Sequence, residues 1–354
     1  MKQKWLVYTF VAFVIASASG VAHAQNVKIT PIGQRTGEFC SFDRALLFED
    51  PTGVRILYDP GNTVAGGTDP RLGEVHVILL SHAHFDHLGN LKLNQDPGAD
   101  TASCGSSFPA LPATPNSNAA EIAAAKNSAV IAGGPLSTFV GLRIQNIRGM
   151  PTPICPQIGL ASEFTVPLSA PCTAGLGIGA KRTIRFVSAD QGVQISPVVA
   201  EHDNGLTSDF LTDPEKANLA ANKLNAYVGL ANGFVLTFTN GLRVYLSGDT
   251  GVTSDMKTVV HGFYGASLAV FNIGDVFTTG PEEAAFAVTK LIRPNSVIPS
   301  HANEVATSGG VVLPDTHTAR FIELVGDIPV FVPLSGVTLE FDGNGQCALG
   351  KQSR

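Results

Sequence analysis

The sequence predicts an α/β fold in which two sheets pack face to face with helices on the outside. Three observations point there. The strand signals fall into two halves, each finished by helical stretches. Short runs such as 75–80 and 268–272 are almost wholly apolar, which is how strands buried on both faces read. No internal repeat recurs at a fixed period. Hydrophobic residues make up 44% of the 354, enough for a large core and too many for disorder. Charged residues are only 15%, which excludes a coiled coil or a charged tail protein.

Taken in order, 26–32 alternates as a first strand, and 45–48 and 54–58 follow on either side of the turn Asp50-Pro51-Thr52-Gly53. The run 75–80, apolar except for His76, is a buried strand and leads into a strongly polar loop over 81–90. Residues 92–117 read as an irregular insertion rich in Gly, Pro, Ser and Asn. A helix is expected over 119–126 with Ser117 or Asn118 as its cap, then a strand over 129–132. A second irregular insertion is expected over about 142–180; long loops of this kind often line binding sites, so both insertions are expected to wall a pocket. Strands resume at 183–187 and 193–200, and a helix at 214–224. Asn240-Gly241 between 233–239 and 242–247 is a tight-hairpin signal. After the strand 268–272, a helix over 281–291 starts on Pro281 with acids in its first turn. A strand over 297–299, a helix over 317–325 and strands at 330–332 and 337–341 complete the reading.

Residues 1–24 read as a secretory signal peptide, leaving 25–354 as a single domain. Lys2 and Lys4 precede an apolar run, and Ala22-His23-Ala24 is a small-residue cleavage site. The alternative, an uncleaved anchor, suits this run less well because it is short for a bilayer. No stable membrane anchor is expected after cleavage, and the mature chain is expected to be periplasmic or secreted. Cleavage removes two lysines and no acid, so the net charge of −6 becomes more negative. With no long basic run, nucleic-acid binding is not expected. Export permits disulfides among Cys40, Cys104, Cys155, Cys172 and Cys347. The preferred pair is Cys155 with Cys172, which bracket a Pro-rich stretch.

The chemistry concentrates in Ser81-His82-Ala83-His84-Phe85-Asp86-His87. Three imidazoles and a carboxylate follow a buried strand, and such groups are costly to bury without a shared partner. A metal ion is the natural partner for nitrogen and oxygen donors. Residues two apart in extended chain point to one side, so His82 and His84 can serve one ion, with Asp86 and His87 near a second.

This motif resembles the metallo-β-lactamase superfamily, and the likeness continues downstream. His202 ends a strand, Asp249 lies in Ser247-Gly248-Asp249-Thr250-Gly251, and His301 closes Ile298-Pro299-Ser300-His301. The resemblance implies an αββα sandwich with a dinuclear centre. His82, His84 and His202 would hold one ion, Asp86, His87 and His301 the other, with Asp249 between them. Two divalent ions are implied, zinc first, with manganese and iron as alternatives. Asp59, in Leu57-Tyr58-Asp59-Pro60-Gly61, matches a superfamily aspartate that could accept an N–H from a metal-bound histidine, although a plain turn aspartate reads equally well. Asn272-Ile273-Gly274, Gly280-Pro281-Glu282-Glu283-Ala284-Ala285 and Val297-Ile298-Pro299-Ser300-His301 look like the L-ascorbate-6-phosphate lactonase-like branch, which is similar to N-acyl-phosphatidylethanolamine phospholipase D. Thr279 in place of the branch's Met, and Ala302-Asn303 in place of His-Tyr-Gly, depart from it.

The activity this implies is hydrolysis of a small-molecule ester or lactone, in which a hydroxide bridging the metals attacks the carbonyl and Asp86 relays the proton. The alternatives are a phosphodiesterase of the phospholipase D-like kind and a metal-binding protein without catalysis. A phosphodiester calls for a cation nearby; Lys181, Arg182 and Arg293 are the candidates by type, and none adjoins a ligand in sequence. Asn303, Asp203 and Asn204 are candidate substrate contacts. His76 reads as a core residue, and His261 and His317 as surface residues.

Overall fold

The computed structural model describes residues 25–94, 104–105, 107–157 and 162–349, together with Met1. The expected signal segment, Met1 apart, lies outside these residues. Two large sheets dominate. The first has eight strands in the order Cys347–Leu349, Leu339–Phe341, Val27–Ile32, Ala45–Glu49, Arg55–Tyr58, Val77–Leu79, Ala129–Ala132 and Cys172–Gly175. The second has seven, from Ser296–Ser300 through Leu268–Asn272, Arg243–Leu246, Asn232–Thr237, Gly192–Val199 and Arg182–Phe186 to Glu163–Val166.

Side-chain alternation builds three layers of core from these strands. Phe48 faces the second sheet and packs in one cluster with Ile56, Phe164, Phe234 and Val270. Its neighbour Leu47 points the other way and joins Leu57, Ile78 and Val130 beneath the helices Asn118–Lys126 and Gly134–Arg148. Outside the second sheet, Val235, Tyr245 and Phe271 meet Met256, Val288 and Phe321 from the remaining helices. Both faces of each sheet are therefore covered, which is why the strands read as continuous apolar runs. The architecture is the expected αββα sandwich.

Most expected elements are present within a residue or two. Ser117 caps the helix Asn118–Lys126 by accepting the N–H of Ala120. The stretch 281–291 is helical, as Pro281–Phe286 continued in wider turns by Ala287–Ile292. His76 is a satisfied sheet residue, its Nδ1 accepting the backbone N–H of Arg55 at 3.0 Å.

The two insertions need correction. Within 92–117 the chain folds back, and Leu91–Leu93 pairs with Ala110–Pro112. The second insertion is largely regular. The helix Gly134–Arg148 runs into it, and Glu163–Val166 and Cys172–Gly175 are edge strands of the two sheets. Gly133-Gly134-Pro135 reads as loop punctuation, yet proline in the first turn starts a helix. Leu136, Val140 and Ile144 then form a fully buried stripe at four-residue spacing. The polar loop after residue 80 also contains a short helix, Phe85–Leu88. A helix at Met256–Tyr264, absent from the sequence reading, covers the second sheet with Met256 and Val260.

Cys155 and Cys172 form the expected disulfide, and Cys40 pairs with Cys104. The first closes a loop of 17 residues in sequence separation. Replacing both Cys155 and Cys172 by Ser should lower the free energy of unfolding by about 3 kcal/mol, read from urea denaturation. An unchanged midpoint would show that this crosslink does not constrain the unfolded chain.

Candidate metal centre

All seven expected ligands converge where the two sheets meet, each from a loop that leaves a strand. Ser81-to-His87 follows Val77–Leu79, His202 follows Gly192–Val199, Asp249 follows Arg243–Leu246, and His301 follows Ser296–Ser300. The side chains form two groups: His82, His84, His202 and Asp249, then Asp86, His87 and His301. Within each group the donor atoms lie within 4.8 Å of one another. Asp249 belongs to both in effect. Its Oδ2 is 3.8 Å from His82 Nε2, 3.7 Å from His202 Nε2 and 2.9 Å from His301 Nε2. Its Oδ1 is 3.3 Å from His87 Nε2.

Two glycines let these loops meet. A Cβ on Gly248, whose φ is +60°, would come within 2.9 Å of the Asn232 carbonyl and 3.1 Å of Ser81 Cβ. A Cβ on Gly274 would strike the His301 carbonyl at 2.2 Å. Asn204 pins the histidine loop: it is buried, and its Oδ1 accepts the Ala83 N–H at 2.8 Å. It is a scaffold for the ligands, which corrects its expected role as a substrate contact.

The donor set suits divalent cations. His82 Nε2, His87 Nε2 and Asp249 Oδ1 are buried and have no hydrogen-bond partner. Each such atom costs about 1–3 kcal/mol when left unpaired, and cations at the two positions would together pair all three. Burial pushes the His82 imidazolium well below its ordinary pKa, leaving a neutral ligand. Burial alone would raise the Asp249 carboxyl, but His301 and His87 outweigh it and hold the group well below the usual carboxylate range. Burial would likewise lower His87, yet Asp249, Asp86 and Asp59 outweigh it and hold its pKa well above the ordinary histidine value. Asp59 accepts from His87 Nδ1 at 2.8 Å and from the backbone N–H and hydroxyl of Ser81 at 2.8 and 2.6 Å. That bond keeps a proton on Nδ1, so that loss of the imidazolium proton frees the Nε2 lone pair toward the centre.

The sequence reading missed Arg44. This buried side chain donates to Asp86 Oδ2 from Nε at 3.1 Å and from Nη2 at 3.0 Å, and from Nη2 to Asn303 Oδ1 at 2.7 Å. The expected cations lie elsewhere. Arg182 is buried beneath the carbonyls of Cys155 and Pro156, and neither Lys181 nor Arg293 lines the cleft. His317 is partly exposed, as expected, and it lines the cleft, where its Nδ1 lies 3.2 Å from the Ala302 carbonyl.

A cleft of about 770 Å³ opens over the centre. Phe42, Phe85, Val276 and Phe277 form apolar wall, with Arg44, Asp203, Asn303 and His317 between them. Neither insertion supplies a lining residue among those described. The first supports the wall indirectly, through the Phe108 ring 6.0 Å from Phe42 and the Cys40–Cys104 disulfide.

An αββα sandwich with this histidine–aspartate centre is the metallo-β-lactamase fold. Residues 43–159 match the family model described as the β-lactamase superfamily domain. A UPF0173 metal-dependent hydrolase of Cupriavidus necator is 28% identical over 306 residues, covering 84% of this chain and 85% of that protein. One of Methanosphaera stadtmanae is 27% identical over 253 residues, covering 71% and 77%. Among solved structures, Igni18, a metallo hydrolase from Ignicoccus hospitalis, aligns with a TM-score of 0.52 at 20% identity, over 90% of this chain and all of that one, a likeness of fold. The protein is a metal-dependent hydrolase with the metallo-β-lactamase fold.

Two outcomes follow. Asp249→Ala should bind fewer divalent cations than the wild type, counted by elemental analysis after dialysis; full occupancy would remove Asp249 from the ligand set. Cation binding must displace the proton that the three carboxylates hold on His87. Affinity should therefore rise as the pH is raised through and above the ordinary histidine range, with protons released on binding. A flat profile would contradict this.

Proposed function

We propose that this protein is an exported, dinuclear metal-dependent hydrolase of neutral esters or lactones. The cleft over the centre carries the reading. Its walls are largely apolar, and among the described residues Arg44 is the sole lysine or arginine that lines it. That guanidinium is already committed to Asp86 and Asn303. A phosphodiester anion would meet no uncommitted lysine or arginine on this wall, whereas a carbonyl compound with apolar substituents needs none. The motif likeness to the lactonase-like branch supports the same choice.

Two divalent cations held by the seven ligands would supply Lewis acidity and lower the pKa of water toward neutrality. The nitrogen and oxygen donor set favours zinc. The chain's own residues orient the reaction. Asp59 fixes His87, and Asn204 fixes the backbone beside His82 and His84. Both bonds from Arg44 fall on Asp86 Oδ2, so the proton relay we assign to Asp86 uses Oδ1. Burial would raise this carboxyl, but His87 and Arg44 outweigh it and hold it low, so Asp86 passes a proton on and does not retain it. Phe42, Phe85 and Phe277 offer apolar surface to the substituents of the reacting carbonyl.

Export is supported by the charged start, apolar run and small-residue site of residues 1–24, and by two disulfides, which suit an oxidising compartment.

Lactones, aryl esters and bis-aryl phosphates should be assayed with protein loaded with zinc, manganese or iron. Turnover of the carbonyl substrates is expected. Turnover of the phosphodiesters alone would overturn the substrate class, and cation binding with no turnover would overturn catalysis. Mass spectrometry of the exported protein should find Gln25 at its N-terminus; a product retaining residues 1–24 would overturn cleavage.

A further inference from the structure

The two cation positions differ in the charge around them. One is formed by three histidines and Asp249; the other has Asp86 as its own carboxylate, with Asp249 at its edge. Arg44 acts on the second alone. Its Nε and Nη2 both donate to Asp86 Oδ2, the atom that lies 3.2 Å from His301 Nε2 and 3.7 Å from His87 Nε2. The oxygen turned toward the second position therefore already carries two charge-assisted bonds.

The guanidinium cannot swing aside. Nη1 donates to the carbonyls of Ser41 at 3.0 Å and Asp43 at 3.2 Å, and Nη2 reaches Asn303. Asp43 in turn accepts the N–H groups of Gln34 and Cys40, so the loop bearing Arg44 is itself held. A cation at this position meets a carboxylate largely neutralised by a fixed positive charge, in a buried setting where screening is weak.

We infer that Arg44 makes the Asp86–His87–His301 position the weaker of the two, so that its cation is the one that exchanges. Asp59 acts on the same position with opposite sign. An acceptor on His87 Nδ1 increases the donor strength of Nε2, while a cationic donor on Asp86 Oδ2 decreases that of the oxygen. The inference rests on the two-cation reading, and the experiment separates the two.

Stepwise zinc binding to the full chain, by competition with a chromophoric chelator, should show two dissociation constants at least about tenfold apart. Arg44→Gln keeps a neutral donor and removes the charge; it should tighten the weaker step by about tenfold or more and leave the stronger step unchanged. Arg44→Lys keeps the charge and should stay within about threefold of the wild type. Asp59→Asn should weaken the weaker step further. Thermal melting checks that each variant folds, and the wild-type separation and the Lys variant decide if Arg44→Gln does not. Equal wild-type constants, or weaker second binding in Arg44→Gln, would overturn the inference. A single zinc in the wild type would overturn the two-cation reading itself.

Discussion

Asp249 is the charge around which the centre is organised. Four histidines approach its carboxylate within 4 Å, from three different loops. Bringing so many polar groups into a buried space is unfavourable unless they share a partner. The surrounding structure supplies the restraint this requires. Gly248 lets the Asp249 loop touch the Ser81 loop, Asn204 ties Ala83, and Asp59 holds both Ser81 and His87. The apolar layers on both faces of each sheet fix the strands from which these loops depart.

The fold and the ligands were legible because they depend on local patterns. Strands buried on both faces leave runs such as Val77–Leu79 and Leu268–Asn272, and the dense His-Ala-His-Phe-Asp-His run marks the centre. His202, Asp249 and His301 carry weaker local signals and were found through the superfamily resemblance. What stayed hidden depends on contacts between distant segments. Arg44 sits 42 residues from Asp86 and 259 from Asn303 in sequence, and a lone arginine before a strand carries no mark of such partners. Asn204 reaches Ala83 across 121 residues. A residue that follows a ligand in sequence was read as facing substrate, when it faces the backbone behind the ligands.

The helix Gly134–Arg148 shows a different failure. Its start looks like a turn, and only the first sheet, which covers Leu136, Val140 and Ile144, makes its stripe meaningful. The Cys155–Cys172 disulfide sits in the same region and joins a buried edge strand to the chain before it. The segment expected to wall the cleft builds the sandwich instead. The cleft is walled by ligand-bearing turns such as His84–Asp86 and His301–Asn303, and by turns packed against them, Ser41–Arg44 and Gly274–Phe277. Substrate selection and metal binding therefore share the same few turns.

The pairing of Val27 with Phe341 has a consequence for how the chain can be re-engineered. Val27–Ile32 and Arg55–Tyr58 both run antiparallel to Ala45–Glu49, so they point the same way. Asp59 leaves the far end of that direction, beside the metals, while Val27 begins at the opposite end. The first strand and the closing hairpin, Leu339–Phe341 with Cys347–Leu349, thus lie side by side, and Val27 and Phe341 meet at the end of the sheet remote from the chemistry. A short linker between them would permit a circular permutant reopened in the exposed helix Asp213–Asn222, without separating any strand pair.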